Sequence, residues 1–147
     1  GIQGSLIPVV FISIVVGSGT VVQATPVFTL LVEKVLSMNM HPYLLTFVAV
    51  NLLSGLCANG TGGVTLFMKN FGDSILANPS INLGALHRIA AISGAGFDSL
   101  PHNGAIAFQL SVFKLSYKEG YFQQFMMSVV VNLLAGIIAV VMAMLLY

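Results

Sequence analysis

The chain has 147 residues, 57 % of them apolar and only 6 % charged, against roughly 25 % charged in an ordinary soluble domain. Five Lys or Arg and four Asp or Glu leave a net charge of +1, which offers no polybasic surface and argues against a nucleic-acid partner. A single cysteine, Cys57, excludes an internal disulfide and a multi-thiolate zinc site.

The charges are unevenly placed. Gly1 to Val32, Val35 to Met68 and Gly120 to Tyr147 carry none, runs of 32, 34 and 28 residues. A membrane-spanning helix needs about 20 residues, so the sequence predicts an all-α, multi-pass integral membrane protein with the lipid bilayer as its main solvent. Gly1 is preceded by neither Met nor a basic n-region. The start therefore reads as an internal cut in a longer protein rather than as a signal peptide.

In chain order, four hydrophobic blocks are expected. The first runs from about Ser5 to Leu31 and is interrupted at Gly17-Ser-Gly-Thr20, with Gln23 to Pro26 just beyond. The second, Tyr43 to Met68, is interrupted at Ala58-Asn-Gly-Thr-Gly-Gly63. The polar stretch Lys69 to Asn82, with its Asn78-Pro79 pair, is expected to be a loop. The third block, Leu83 to Phe113, is interrupted at Gly96-Phe-Asp-Ser-Leu-Pro-His-Asn-Gly104. Only the last, Tyr121 to Tyr147, reads as an unbroken helix, and beyond Gln123-Gln124 at its start the one strongly polar side chain is Asn132. Gly and Pro, which disfavour continued helix, account for the interruptions.

Broken backbone survives in lipid only where protein or a water-filled cavity covers it, and discontinuous helices at the midplane are how secondary transporters build substrate sites. Small residues also let helices pack closely, and that alternative stands for Gly17 to Thr20. At the third break, Asp98 and His102 lie within an apolar block. Such a pair can take up and release a proton; the alternative is that Asp98 is only an N-cap and His102 a satisfied polar residue that holds the break together. Asp98 or Ser99 is expected to cap a half-helix beginning near Pro101, and the Gly-rich break to open a second half-helix at Val64. Amides at such helix starts can cradle a carboxylate.

At this point the segment His87-Arg-Ile-Ala-Ala-Ile-Ser-Gly-Ala-Gly-Phe-Asp-Ser-Leu-Pro-His-Asn-Gly-Ala-Ile106 resembles a signature of the gluconate permease family of proton symporters, in its D-β-hydroxybutyrate permease-like branch. Gly17-Ser-Gly-Thr-Val-Val-Gln-Ala-Thr-Pro26 and Ala58-Asn-Gly-Thr-Gly-Gly-Val-Thr-Leu66 look like that branch too. The similarity runs from about Gly17 to the final helix and matches only the C-terminal part of longer family members. Asn59-Gly60 departs from the small Ser or Ala usual there, and the LPHNGA block sets the chain apart from true gluconate carriers.

The resemblance implies a cytoplasmic-membrane symporter for a small hydroxycarboxylate, built as half of an inverted-repeat ion-transporter fold with midplane breaks or re-entrant hairpins. On this reading Ser18, Thr20, Asn59, Gly60, Thr61, Gly62, Ser99, Asn103 and Gly104 hold the organic anion, while Asp98 and His102 bind the coupling proton. No cofactor or metal is expected. The coupling ion is H⁺, with Na⁺ as the alternative, and the missing half comes from the rest of a longer chain, another chain or a second copy. Two rivals stand beside it: an intramembrane hydrolase using Ser99, His102 and Asp98, and a non-transporting assembly subunit.

Overall fold

The computed structural model describes residues 6, 9, 10, 13, 14, 17, 20, 21, 23–38 and 40–147, and among them every regular element is helical. Gly17, Thr20, Val21 and Gln23 lie in helix, and the chain leaves helix at Ala24 and Thr25, within the expected Gln23 to Pro26 stretch; Ser18 and Gly19 lie outside the described residues. The cause is local. Thr25 is an N-cap whose hydroxyl accepts from the Phe28 amide, and Pro26 occupies the first helical position of α1 (Pro26–Leu36). Phe28, Val32 and Val35 form the inward stripe of α1.

Helix α2 (Pro42–Cys57) starts in the same way, with His41 as cap and Pro42 next. Its buried residues, among them Tyr43, Thr46, Ala49, Val50, Leu53, Ser54 and Cys57, leave little of it exposed, because α2 is the central helix. It ends where Ala58 adopts a left-handed conformation (φ 48°), with Ala58 N bonding Gly55 O and Asn59 N bonding Ser54 O.

Helix α3 (Gly60–Leu76) begins at once under an Asn59 cap, whose Oδ1 accepts from Gly62 N at 2.9 Å. The second break is thus only Ala58 and Asn59, and the residues from Gly60 onward are already helical. Gly63, Phe67, Phe71 and Ile75, four apart, bury one stripe of α3 and fold it back along α2. That stripe also carries the helix through Lys69 to Leu76, which the polar composition marks as loop. The loop is in fact Ala77–Asn82.

Asn82 caps α4 (Leu83–Gly94), which buries Leu86, Ile89, Ala90 and Ser93 against its neighbours. The third break follows where expected. Only a single 3₁₀ turn, Phe97–Ser99, lies between α4 and α5 (Gly104–Val112). Asn103, not Asp98 or Ser99, caps α5, because its Oδ1 reaches the Ala105 amide.

The last helix begins at Tyr117, four residues before the expected start. Its first part, α6 (Tyr117–Gln124), passes through a wide π turn (Phe125–Val130) into α7 (Val131–Leu146). The unbroken run Tyr117–Leu146 has 30 residues and is long and apolar enough to cross a membrane. By contrast α2 and α3, with 16 and 17 residues, rise only about 24 and 26 Å, short of a hydrocarbon layer of roughly 30 Å.

Candidate functional site

The second and third breaks meet. Asn59, Gly60, Thr61 and Thr65 from the start of α3 face Asp98 and Asn103 across a cavity of about 590 Å³. Ala91, Gly94 and Ala95 at the end of α4 complete its wall. The approach depends on glycine: a Cβ at Gly60 would collide with the Gly94 carbonyl oxygen and lie 3.0 Å from its carbon. Two chain segments 34 residues apart can therefore touch backbone to backbone.

Asp98 is half-buried on the 3₁₀ turn, and among the described residues lining the cavity it alone is titratable. Its Oδ1 accepts from the Ser99 hydroxyl at 2.9 Å, and its Oδ2 lies toward Gly60, the first residue of α3. Asn59 takes the Gly62 amide, while helix geometry leaves the amides of Gly60 and Thr61 without carbonyl partners inside α3. A carboxylate is thus held near the positive end of a helix, and the adjoining cavity offers hydroxyl and amide groups to an anion.

Asn103 is buried and fully engaged. Its amide nitrogen donates to Ala58 O at 3.1 Å and to Asp98 O, while its Oδ1 accepts from Ala105 N at 2.6 Å. One side chain therefore joins the end of the second break to the third. His102 lies apart from the cavity lining, with Nε2 at 2.7 Å from Gly55 O. Because a carbonyl only accepts, Nε2 carries the proton and closes an end carbonyl of α2.

The remaining expected residues fall elsewhere. Ser99, Gly62 and Gly104 adjoin the cavity in sequence without lining it. Thr20 is exposed and donates its hydroxyl to Gly17 O at 2.6 Å within its own helix. Ser18 lies outside the described residues. Ser99 donates to Asp98 and not to His102, whose Nε2 bonds Gly55 O.

Sequence reasoning missed Thr65, one turn beyond Thr61 on the same face of α3, a spacing that becomes readable once the helix is known to start at Gly60. It also missed the donors of the last helix. Tyr117 OH donates to Pro101 O at 3.0 Å, Tyr121 OH to Ser99 O at 3.2 Å and Asn132 Nδ2 to Ala95 O at 3.2 Å.

The geometry defines a class of site: a cavity where two interrupted apolar segments meet, with a carboxyl on its wall, in an all-helical bundle. Over 124 residues the chain is 27 % identical to a Bacillus subtilis (strain 168) protein named uncharacterized transporter YxjC. That match takes in 82 % of this chain and 26 % of the relative, so the chain spans about a quarter of that protein's length. No family model matches the sequence, and no solved structure does.

Proposed function

We propose that the chain forms part of a membrane transporter that moves a small hydroxycarboxylate together with a proton, 3-hydroxybutyrate being the first substrate to try. The observation that carries this reading is the cavity shared by the second and third breaks, with Asp98 as its titratable wall residue. The named relative and the membrane-length helix support the transporter class. The resemblance to the hydroxybutyrate branch of gluconate permeases supports the substrate and the coupling to H⁺ rather than Na⁺.

In this mechanism the anion binds among Asn59, Gly60, Thr61 and Thr65. Protonation of Asp98 removes the like charge that opposes it, so that anion and proton enter together. Ser99 orients the Asp98 carboxyl, and Asn103 and His102 hold the breaks in register. The α2–α3 hairpin, too short to cross the layer, acts as a re-entrant element in the cytoplasmic membrane, and the rest of a longer protein or a partner chain supplies the opposing half.

The test is uptake of labelled D-3-hydroxybutyrate into vesicles bearing the whole transporter, opposing half included, with and without an imposed inward proton gradient. The parent should accumulate the label only with the gradient, and Asp98→Asn should lose that dependence while remaining in the membrane. Gradient-driven uptake that survives Asp98→Asn unchanged would overturn the assignment of the proton, and no uptake by the parent would overturn the substrate.

A further inference from the structure

The last helix carries a strongly polar side chain in its apolar run, Asn132, that the proposed site does not use. It sits two residues beyond the wide turn Phe125–Val130. In that turn the Val131 amide bonds to Met126 O, five residues back instead of four. Side chains bond carbonyls in and beside it: Ser128 Oγ donates to Gln124 O at 2.6 Å, and Asn132 Nδ2 donates to Ser128 O at 2.6 Å. The same nitrogen also donates to Ala95 O at 3.2 Å. Ala95 ends α4 and lines the cavity.

One carboxamide therefore spends its two protons on two structures, the wide turn and the cavity wall. The wide turn holds one residue more than the α turn it replaces. If it tightened to ordinary α geometry, the residues beyond it would rotate by about 100°, one residue's share of a 3.6-residue turn. Asn132 would then leave Ala95, and the donor spent there would lose its partner at a cost.

We propose that Asn132 is a positioning residue of the transport site: its carboxamide locks the register of the last helix to the Ala95 wall, so that cavity shape and the wide turn change together. The word transport rests on the function proposed above. The lock itself is a statement about structure, and it is tested separately.

The probe is a cysteine at Ser93, buried just behind Ala95. In a Cys57→Ala background, Ser93→Cys in membranes should react slowly with a water-soluble maleimide. Adding Asn132→Leu should speed labelling about fivefold, the shift expected when one hydrogen bond of ordinary net worth is lost. Asn132→Ala should do the same, and Asn132→Gln, which keeps both donors, should restore the slow rate. Labelling that Asn132→Leu and Asn132→Ala leave unchanged overturns the lock, as does a Gln variant that labels as fast as Leu. In parallel, Asn132→Leu should raise the KM for D-3-hydroxybutyrate more than it lowers the maximal rate. A parent that takes up no hydroxybutyrate removes the transport reading but leaves the labelling result standing.

Discussion

Asn103 is the side chain on which the two breaks depend. A carboxamide has two donors and an acceptor, and here all three are engaged with backbone groups: Ala58 O, Asp98 O and Ala105 N. Asn103→Ala would strand two carbonyls and a helix-start amide in a buried place. The expected loss is about 2–4 kcal/mol, the order reached when buried partners are left unsatisfied and a cap is removed. A thermal midpoint of the detergent-solubilised protein, compared with Asn103→Ser, checks it: Ser can retain the cap but not the two donations. At this scale the family resemblance of the segment around it marks Asn103 as a ligand of the anion. What it does not reveal is that the amide is consumed by the chain's own carbonyls. His102 carries two readings in the sequence, proton carrier or satisfied polar residue at the break, and its Nε2 on Gly55 O has the geometry of the second.

Between elements, contact distance is set by glycines rather than by side-chain volume. A Cβ at Gly63 would collide with Ser54 Oγ and come within 2.5 Å of the Ser54 amide nitrogen, so the α2–α3 hairpin has no room for a methyl group. Gly72, on the same helix, would meet only the flexible end of Met68 at 3.4 Å. Gly63→Ala should therefore destabilise by about 1–3 kcal/mol or more through overpacking. Gly72→Ala should be neutral or gain up to about 1 kcal/mol from helix propensity. Thermal unfolding of both variants separates a steric effect from a propensity effect, and equal midpoints would contradict the close approach. The positions of the second and third breaks are legible because Gly, Asn and Pro cluster there. Their lengths are not, since Asn59 and Asn103 restart helix as soon as their side chains reach an amide. The Thr25–Pro26 start is legible too, as a capping hydroxyl followed by a proline at the first helical position. Periodicity decides Lys69 to Leu76: the outward residues are polar, but Phe67, Phe71 and Ile75 keep the inward stripe intact.

For the whole molecule, the charge-free runs disclose the apolar class at once, but the cavity arises only where α3 crosses the end of α4, a pairing that no local pattern encodes. The same global view separates the faces of the last helix. Val129, Gly136, Val140 and Ala143 turn inward, and a Cβ at Gly136 would lie 2.8 Å from Phe47 Cδ2. Leu134, Ile137, Ile138, Val141 and Leu145 stay exposed, a surface for which water is a poor solvent and lipid a good one. If lipid covers that face, the penalty for a charge must depend on depth. Leu134 lies near the middle of the apolar run, and a lysine there costs on the order of 3 kcal/mol on insertion scales. Leu145 lies two residues from Tyr147, where a lysine can snorkel to the interface. Leu134→Lys should therefore leave the alkali-resistant membrane fraction, and Leu145→Lys should remain in it. If both variants stay, or both leave, the face is covered by protein or water instead, and the bilayer reading of the last helix fails.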